Sequence, residues 1–160
     1  FSRPAAQILG QYYQFIRLGF EGYKNIQYNS LSVAKYLHQI ISEMPEFQPY
    51  SQDLPNPIFA WLMKPDYQKT AKWTLFDLQD KLAQKGWMVP AYTMPANIEQ
   101  IVVMRVLCKQ GFSRDMADQL INDIRFAVNE LNALEYPTTT RIAMEKNVPL
   151  AAKTFNHTGK

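Results

Sequence analysis

The chain has 160 residues, 47% of them hydrophobic and 19% charged, a globular composition with length for one substantial core. Its 17 basic and 14 acidic residues leave a net charge of +3 and form no basic run interleaved with aromatics, which argues against a nucleic-acid surface. One cysteine, Cys108, excludes an internal disulfide and suits a reducing compartment; no apolar run reaches transmembrane length and no signal peptide opens the chain.

In chain order, Ser2-Arg3-Pro4 reads as a helix start, a hydroxyl cap followed by a proline that the first turn tolerates. Ile8, Leu9, Tyr12, Phe15, Ile16 and Phe20 follow at spacings of three and four, the stripe of an amphipathic helix that Gly19 and Gly22 interrupt. A second helical pattern runs from Tyr23 to Met44 and stops at Pro45; the two segments could form one long bent helix. Phe47–Ser51 and Ile58–Lys64 are strand candidates on either side of a proline-rich turn. Thr74 with Asp77 makes a short capping box for a helix over 75–85, which Gly86 ends. Trp87–Thr93 is strand-like but broken by proline. Ser113 caps a last helix whose core face is Met116, Leu120, Ile121, Ile124, Val128 and Leu131. Beyond Leu134 the periodicity fades: 137–140 reads as a linker and 148–160 as a mobile tail.

Before that last helix lies the stretch that carries most information. Ile101 to Leu107 is apolar apart from Arg105. In a strand, Val102, Met104, Val106 and Cys108 share one face and Ile101, Val103, Arg105 and Leu107 the other. A guanidinium on an apolar face needs an anion or a route to water. Two readings stand: an edge strand whose arginine bends out to solvent, or an arginine offered to a carboxylate or phosphate that its planar fork can grip with two hydrogen bonds.

The layout of two leading helices and then β-β-α-β-β-α gives an α+β fold, a mostly antiparallel sheet with helices on one face. The expected divisions are a helical lead-in over 1–44, an α+β domain over 45–136, and a linker and tail over 137–160. The start without methionine and the sticky, 13% aromatic composition suggest a piece of something larger. Two histidines, His38 and His157, and one cysteine give no metal-ligand spacing, and no phosphate loop or nucleophile elbow is present. His38 reads as a flank or interface residue and His157 as part of a solvated tail.

Several segments together resemble one family. FSRPAAQILGQYYQFIRLGFEGY, GWMVPAYTMP and IVVMRVLCKQGF are similar to the C-terminal part of bacterial glutamate decarboxylases, and TFNHT near the end echoes it again. The resemblance implies the small domain of a pyridoxal-phosphate enzyme of the aspartate-aminotransferase-type fold, preceded by the helix that leads in from the large cofactor domain. It implies removal of the α-carboxylate of L-glutamate to give 4-aminobutanoate and carbon dioxide, in a cytoplasmic homo-oligomer with a part in acid resistance. Arg105 would hold and orient the α-carboxylate, Phe1 would lie near the substrate, and Ser2 would contact the cofactor phosphate in a second identical subunit. His157 would shut the site as pH rises, a role suited to an imidazole with a reference pKa of about 6.5. The cofactor-binding lysine lies upstream of this region in that family, so the fragment would hold no catalytic residue and be inactive alone, without the upstream part. No nucleic acid, membrane or metal is implied. The segment 135–153 and the final Gly159 and Lys160 depart from the family pattern. Two other classes stay open on the residues alone: a non-enzymatic α+β module binding a small carboxylate through Arg105, and an interaction module using the aromatic face Tyr12, Tyr13, Phe15 and Phe20.

Overall fold

The computed structural model describes residues 4–146. Helix α1, Ala6–Glu43, is one long helix bent at Gly19, as the glycine pair suggested. Gly19 has φ 56° and ψ −169°, a backbone conformation open almost only to glycine. At Gly22 a Cβ would come within 2.8 Å of the Leu18 side chain, so the second glycine gives Leu18 room just past the bend. After the bend, Ser30, Ala34, Leu37 and Ile41 are buried, spaced four, three and four apart, which turns one stripe of the helix into the core. Before the bend none of the described residues is buried.

Among the described residues four strands follow: β1 Phe47–Pro49, β2 Ile58–Met63, β3 Ala91–Thr93 and β4 Val102–Leu107. They form one antiparallel sheet in the order β1-β2-β4-β3. The α+β expectation holds. Of the two readings of the Arg105 strand, the edge placement is overturned: β4 lies between β2 and β3, because the short segment after Pro90 supplies a further strand. Of the strand-like run 87–93 only the last three residues pair. Before them the Trp87 indole turns aside to donate to Asp123 at 2.8 Å, and its ring meets Phe112 edge-on.

Helices α3, Leu75–Gln84, and α4, Arg114–Asn132, pack with the second half of α1 over one face of the sheet. Phe47, Phe59, Trp61, Met63, Met104 and Val106 point into that core from the strands, and Leu78, Leu82, Leu120 and Ile124 from the helices. Two caps are as read: Thr74 donates its backbone N–H to Asp77 at 2.7 Å, and Ser113 Oγ accepts from the Met116 N–H at 3.2 Å; the helix start expected at Ser2-Arg3-Pro4 is corrected, since α1 has Ala5 as its N-cap and no side-chain cap. Two short helices were not foreseen, α2 over Pro65–Thr70 and α5 over Thr139–Glu145. The second occupies part of the stretch read as linker. Its N-cap is Thr138, whose hydroxyl accepts from the Arg141 N–H. Among the described residues no helix is long and apolar enough to cross a membrane.

Candidate functional site

The register of the sheet decides what Arg105 faces. Arg105 pairs with Ala60, and Tyr92 pairs with Val103. Side chains alternate, so Ala60, Leu62, Tyr92, Val103, Arg105 and Leu107 share the face away from the helices. None of them joins the hydrophobic cluster packed under the helices. Val103 is nonetheless only 1% exposed, while Leu107 and Arg105 beside it are exposed. The result is an apolar patch with one guanidinium on it.

Arg105 has no ion pair among the described residues. Its backbone N–H donates to the Pro90 carbonyl at 3.1 Å, which fixes the strand below the side chain. Its guanidinium carbon lies 5.6 Å from the centre of the Tyr92 ring, within cation–π range. Ala60, directly opposite, is too short and too apolar to engage it. The donors at the edge of the guanidinium are therefore available to an anion arriving at this face. Chemically the arrangement can bind and orient a carboxylate.

The other residues singled out in the sequence separate from this face. Phe1, Ser2 and His157 lie outside the described residues. Cys108 directly follows the same strand but points into the core, 1% exposed, and burial pushes its thiol up to about 11. His38 is half-buried on α1, with Nε2 at 3.0 Å from the Ser51 carbonyl and its ring edge against Phe59, in keeping with a flank histidine. No group of three or more metal-ligating side chains occurs among the described residues.

Two residues acquire roles that sequence reading missed. Tyr92 is one; its place beside Arg105 follows from the register of β3, which a three-residue strand after a proline did not announce. Asp77 is the other. Besides capping α3, its carboxylate accepts from the Thr138 hydroxyl at 2.9 Å and the Thr140 hydroxyl at 3.0 Å, tying α5 to the start of α3. Lys72 reinforces the same junction by donating to the Leu134 and Glu135 carbonyls, both at 3.0 Å.

No family model matches the chain. Over 132 residues, 82% of this chain, it is 41% identical to glutamate decarboxylase beta of Listeria innocua and 43% identical to a glutamate decarboxylase of Solanum lycopersicum. Among solved structures, a Lactobacillus brevis glutamate decarboxylase superposes with a TM-score of 0.76 at 36% identity over 84% of this chain. The matched part spans 28%, 26% and 30% of those three proteins, so this chain accounts for little more than a quarter of their length. The sphingosine-1-phosphate lyase of Burkholderia pseudomallei shares the fold over 82% of the chain, with a TM-score of 0.65 and 17% identity.

Proposed function

We infer that this chain, a homologue of one segment of the glutamate decarboxylases, serves as the small-domain part of such an enzyme and supplies the arginine that orients the α-carboxylate of L-glutamate. The observation that carries the reading is Arg105 itself: a guanidinium on an apolar sheet face, with an aromatic ring beside it and no carboxylate partner among the described residues. The non-enzymatic module has no observation in its favour, since a simple carboxylate binder would not be expected to match decarboxylases along four-fifths of its length.

The reaction converts L-glutamate to 4-aminobutanoate and carbon dioxide. Pyridoxal phosphate, when bound, supplies an electron sink for the pair left behind by the departing carboxylate. The described residues fit the substrate's carboxylate through Arg105; toward the cofactor this chain offers Ser2, by resemblance, in a second identical subunit. The domain divisions carry over in the same way: 1–44 as the lead-in from the cofactor domain, 45–136 as the small domain and 137–160 as linker and tail. The whole is a cytoplasmic enzyme needing its upstream part.

A tight grip on the leaving carboxylate stabilises the ground state more than a transition state whose charge is moving away from it. Orientation must outweigh that cost. The test is Arg105→Lys in the full-length enzyme. Lysine keeps the charge but loses the fork, and loss of one charge-assisted hydrogen bond, about 1.5–3 kcal/mol, lowers kcat/KM roughly tenfold to a hundredfold. A turnover number that rises instead would overturn the orienting role. Phe1 near the substrate and a pH-responsive His157 belong to the same reading and rest on resemblance. For His157 the expectation is that deleting 148–160 extends activity towards neutral pH, where the neutral imidazole would otherwise shut the site; a pH profile identical to the intact enzyme's removes that role.

A further inference from the structure

We propose that Tyr92 is a positioning residue for Arg105: its ring holds the guanidinium by a cation–π contact so that the hydrogen-bonding edge faces an incoming carboxylate. The inference rests on the reading of Arg105 given above and adds a residue to it.

Tyr92 pairs with Val103, two residues before Arg105 on β4, so the two side chains are diagonal neighbours on one sheet face. The diagonal spacing suits an aromatic ring meeting a long side chain, and the 5.6 Å separation realises it. The direct cross-strand neighbour, Ala60, offers nothing to hold a cation. Among the described residues no carboxylate pairs with Arg105, which leaves Tyr92 as the group that restricts it.

A ring takes the π face of a guanidinium and leaves its N–H edge unspent, whereas an acidic partner would consume the donors that the substrate needs. A long side chain ordered only on binding loses affinity to that ordering; one already restricted loses less. The backbone that carries the ring is well anchored. The Ala91 N–H donates to Gln79 Oε1 at 2.7 Å, the Met94 N–H donates to the Ile101 carbonyl at 2.9 Å, and the Arg105 N–H reaches the Pro90 carbonyl at 3.1 Å. These bonds hold the backbone on both sides of Tyr92 against β4 and α3.

The experiment compares Tyr92→Leu, Tyr92→Phe and Arg105→Lys in the full-length holoenzyme, reading KM and kcat for L-glutamate separately and Tm alongside. Tyr92→Leu keeps apolar bulk and removes the π face. It is expected to raise KM about twofold to fivefold, the worth of a cation–π contact at a half-exposed site, with kcat and Tm little changed. Tyr92→Phe keeps the π face and is expected to retain the wild-type KM. If Tyr92→Leu leaves KM unchanged while Arg105→Lys is impaired, the positioning role is overturned and the reading of Arg105 stands. If Leu and Phe variants are equally impaired, the hydroxyl matters rather than the ring, and the proposal fails on that ground. An unimpaired Arg105→Lys overturns both together.

Discussion

Arg105 on β4 and Cys108, the residue just past the strand's end, sit three apart and meet opposite surroundings, because an odd spacing along an extended chain puts them on opposite faces. The guanidinium faces outward from the sheet, whereas the thiol is sealed under the helices and its ionisation is disfavoured by burial alone. Two outcomes follow from the thiol. At neutral pH it should react with a disulfide reagent only as fast as the protein opens, so labelling in native buffer is slow and becomes rapid in denaturant. Its pH dependence has a definite sign. The unfolded thiol loses its proton near 9.0 and the folded one near about 11, so between those values the unfolded chain has shed a proton that the folded chain keeps. Alkali therefore favours unfolding across that window, and the Cys108 contribution, fully present below it, is lost as pH rises through it. Urea midpoints from pH 8 to about 11, compared with Cys108→Ala, check this: the variant should show the shallower decline.

Between elements, the bend in α1 and the junction of α3 with α5 are set by small groups of residues. Replacing Gly19 by alanine would place a Cβ residue at φ 56°, ψ −169°, a strain of about 1–3 kcal/mol that a straight helix avoids. Gly19→Ala is therefore expected to redirect residues 6–18, and a distance between spin labels at positions 11 and 52 should shift relative to the parent; an unchanged distance would show that packing, not the glycine, sets the bend. Asp77→Ala removes the carboxylate half of the α3 capping box and both threonine links to α5 at once. With a cap worth about 1 kcal/mol and hydrogen bonds to a charged group about 1.5–3 each, not additively, a loss of roughly 2–4 kcal/mol is expected, read from the urea midpoint. These two features also mark what the sequence could disclose. The bend was legible because glycines at 19 and 22 break a clear apolar stripe. The capping box was legible because Thr74 and Asp77 stand three apart. Helix α5 was not, because seven residues with no buried side chain carry little periodicity and owe their order to Asp77, some sixty residues earlier. Helix α2 escaped for the same reason, and a proline at its first position reads equally well as a turn.

For the whole molecule, the site was legible as a residue before it was legible as a place. An arginine in an apolar run can be read from sequence, but its position on an inner strand depends on β3 pairing outside β4, and its contact with Tyr92 depends on that register. The same holds for the aromatic stripe around Gly19. Ile8, Leu9, Tyr12, Tyr13, Phe15, Ile16 and Phe20 satisfy the spacing of a core-facing helix, yet all are more than half exposed. Apolar side chains gathered on one helical arm to this extent exceed the scattered exposure usual on a monomer's surface. Burying even part of them releases about 25 cal/mol for each Å² removed from water, so the 160-residue chain on its own should associate with itself as concentration rises. Sedimentation velocity across a hundredfold range of concentration is the measurement. The weight-average sedimentation coefficient is expected to climb for residues 1–160 and to stay at the monomer value for a chain beginning at residue 21, which keeps Ser30, Ala34, Leu37 and Ile41 and with them the helix's share of the core. If both chains climb alike, the association lies elsewhere, and the open sheet face around Arg105, with Leu107 half exposed, is the next surface to test.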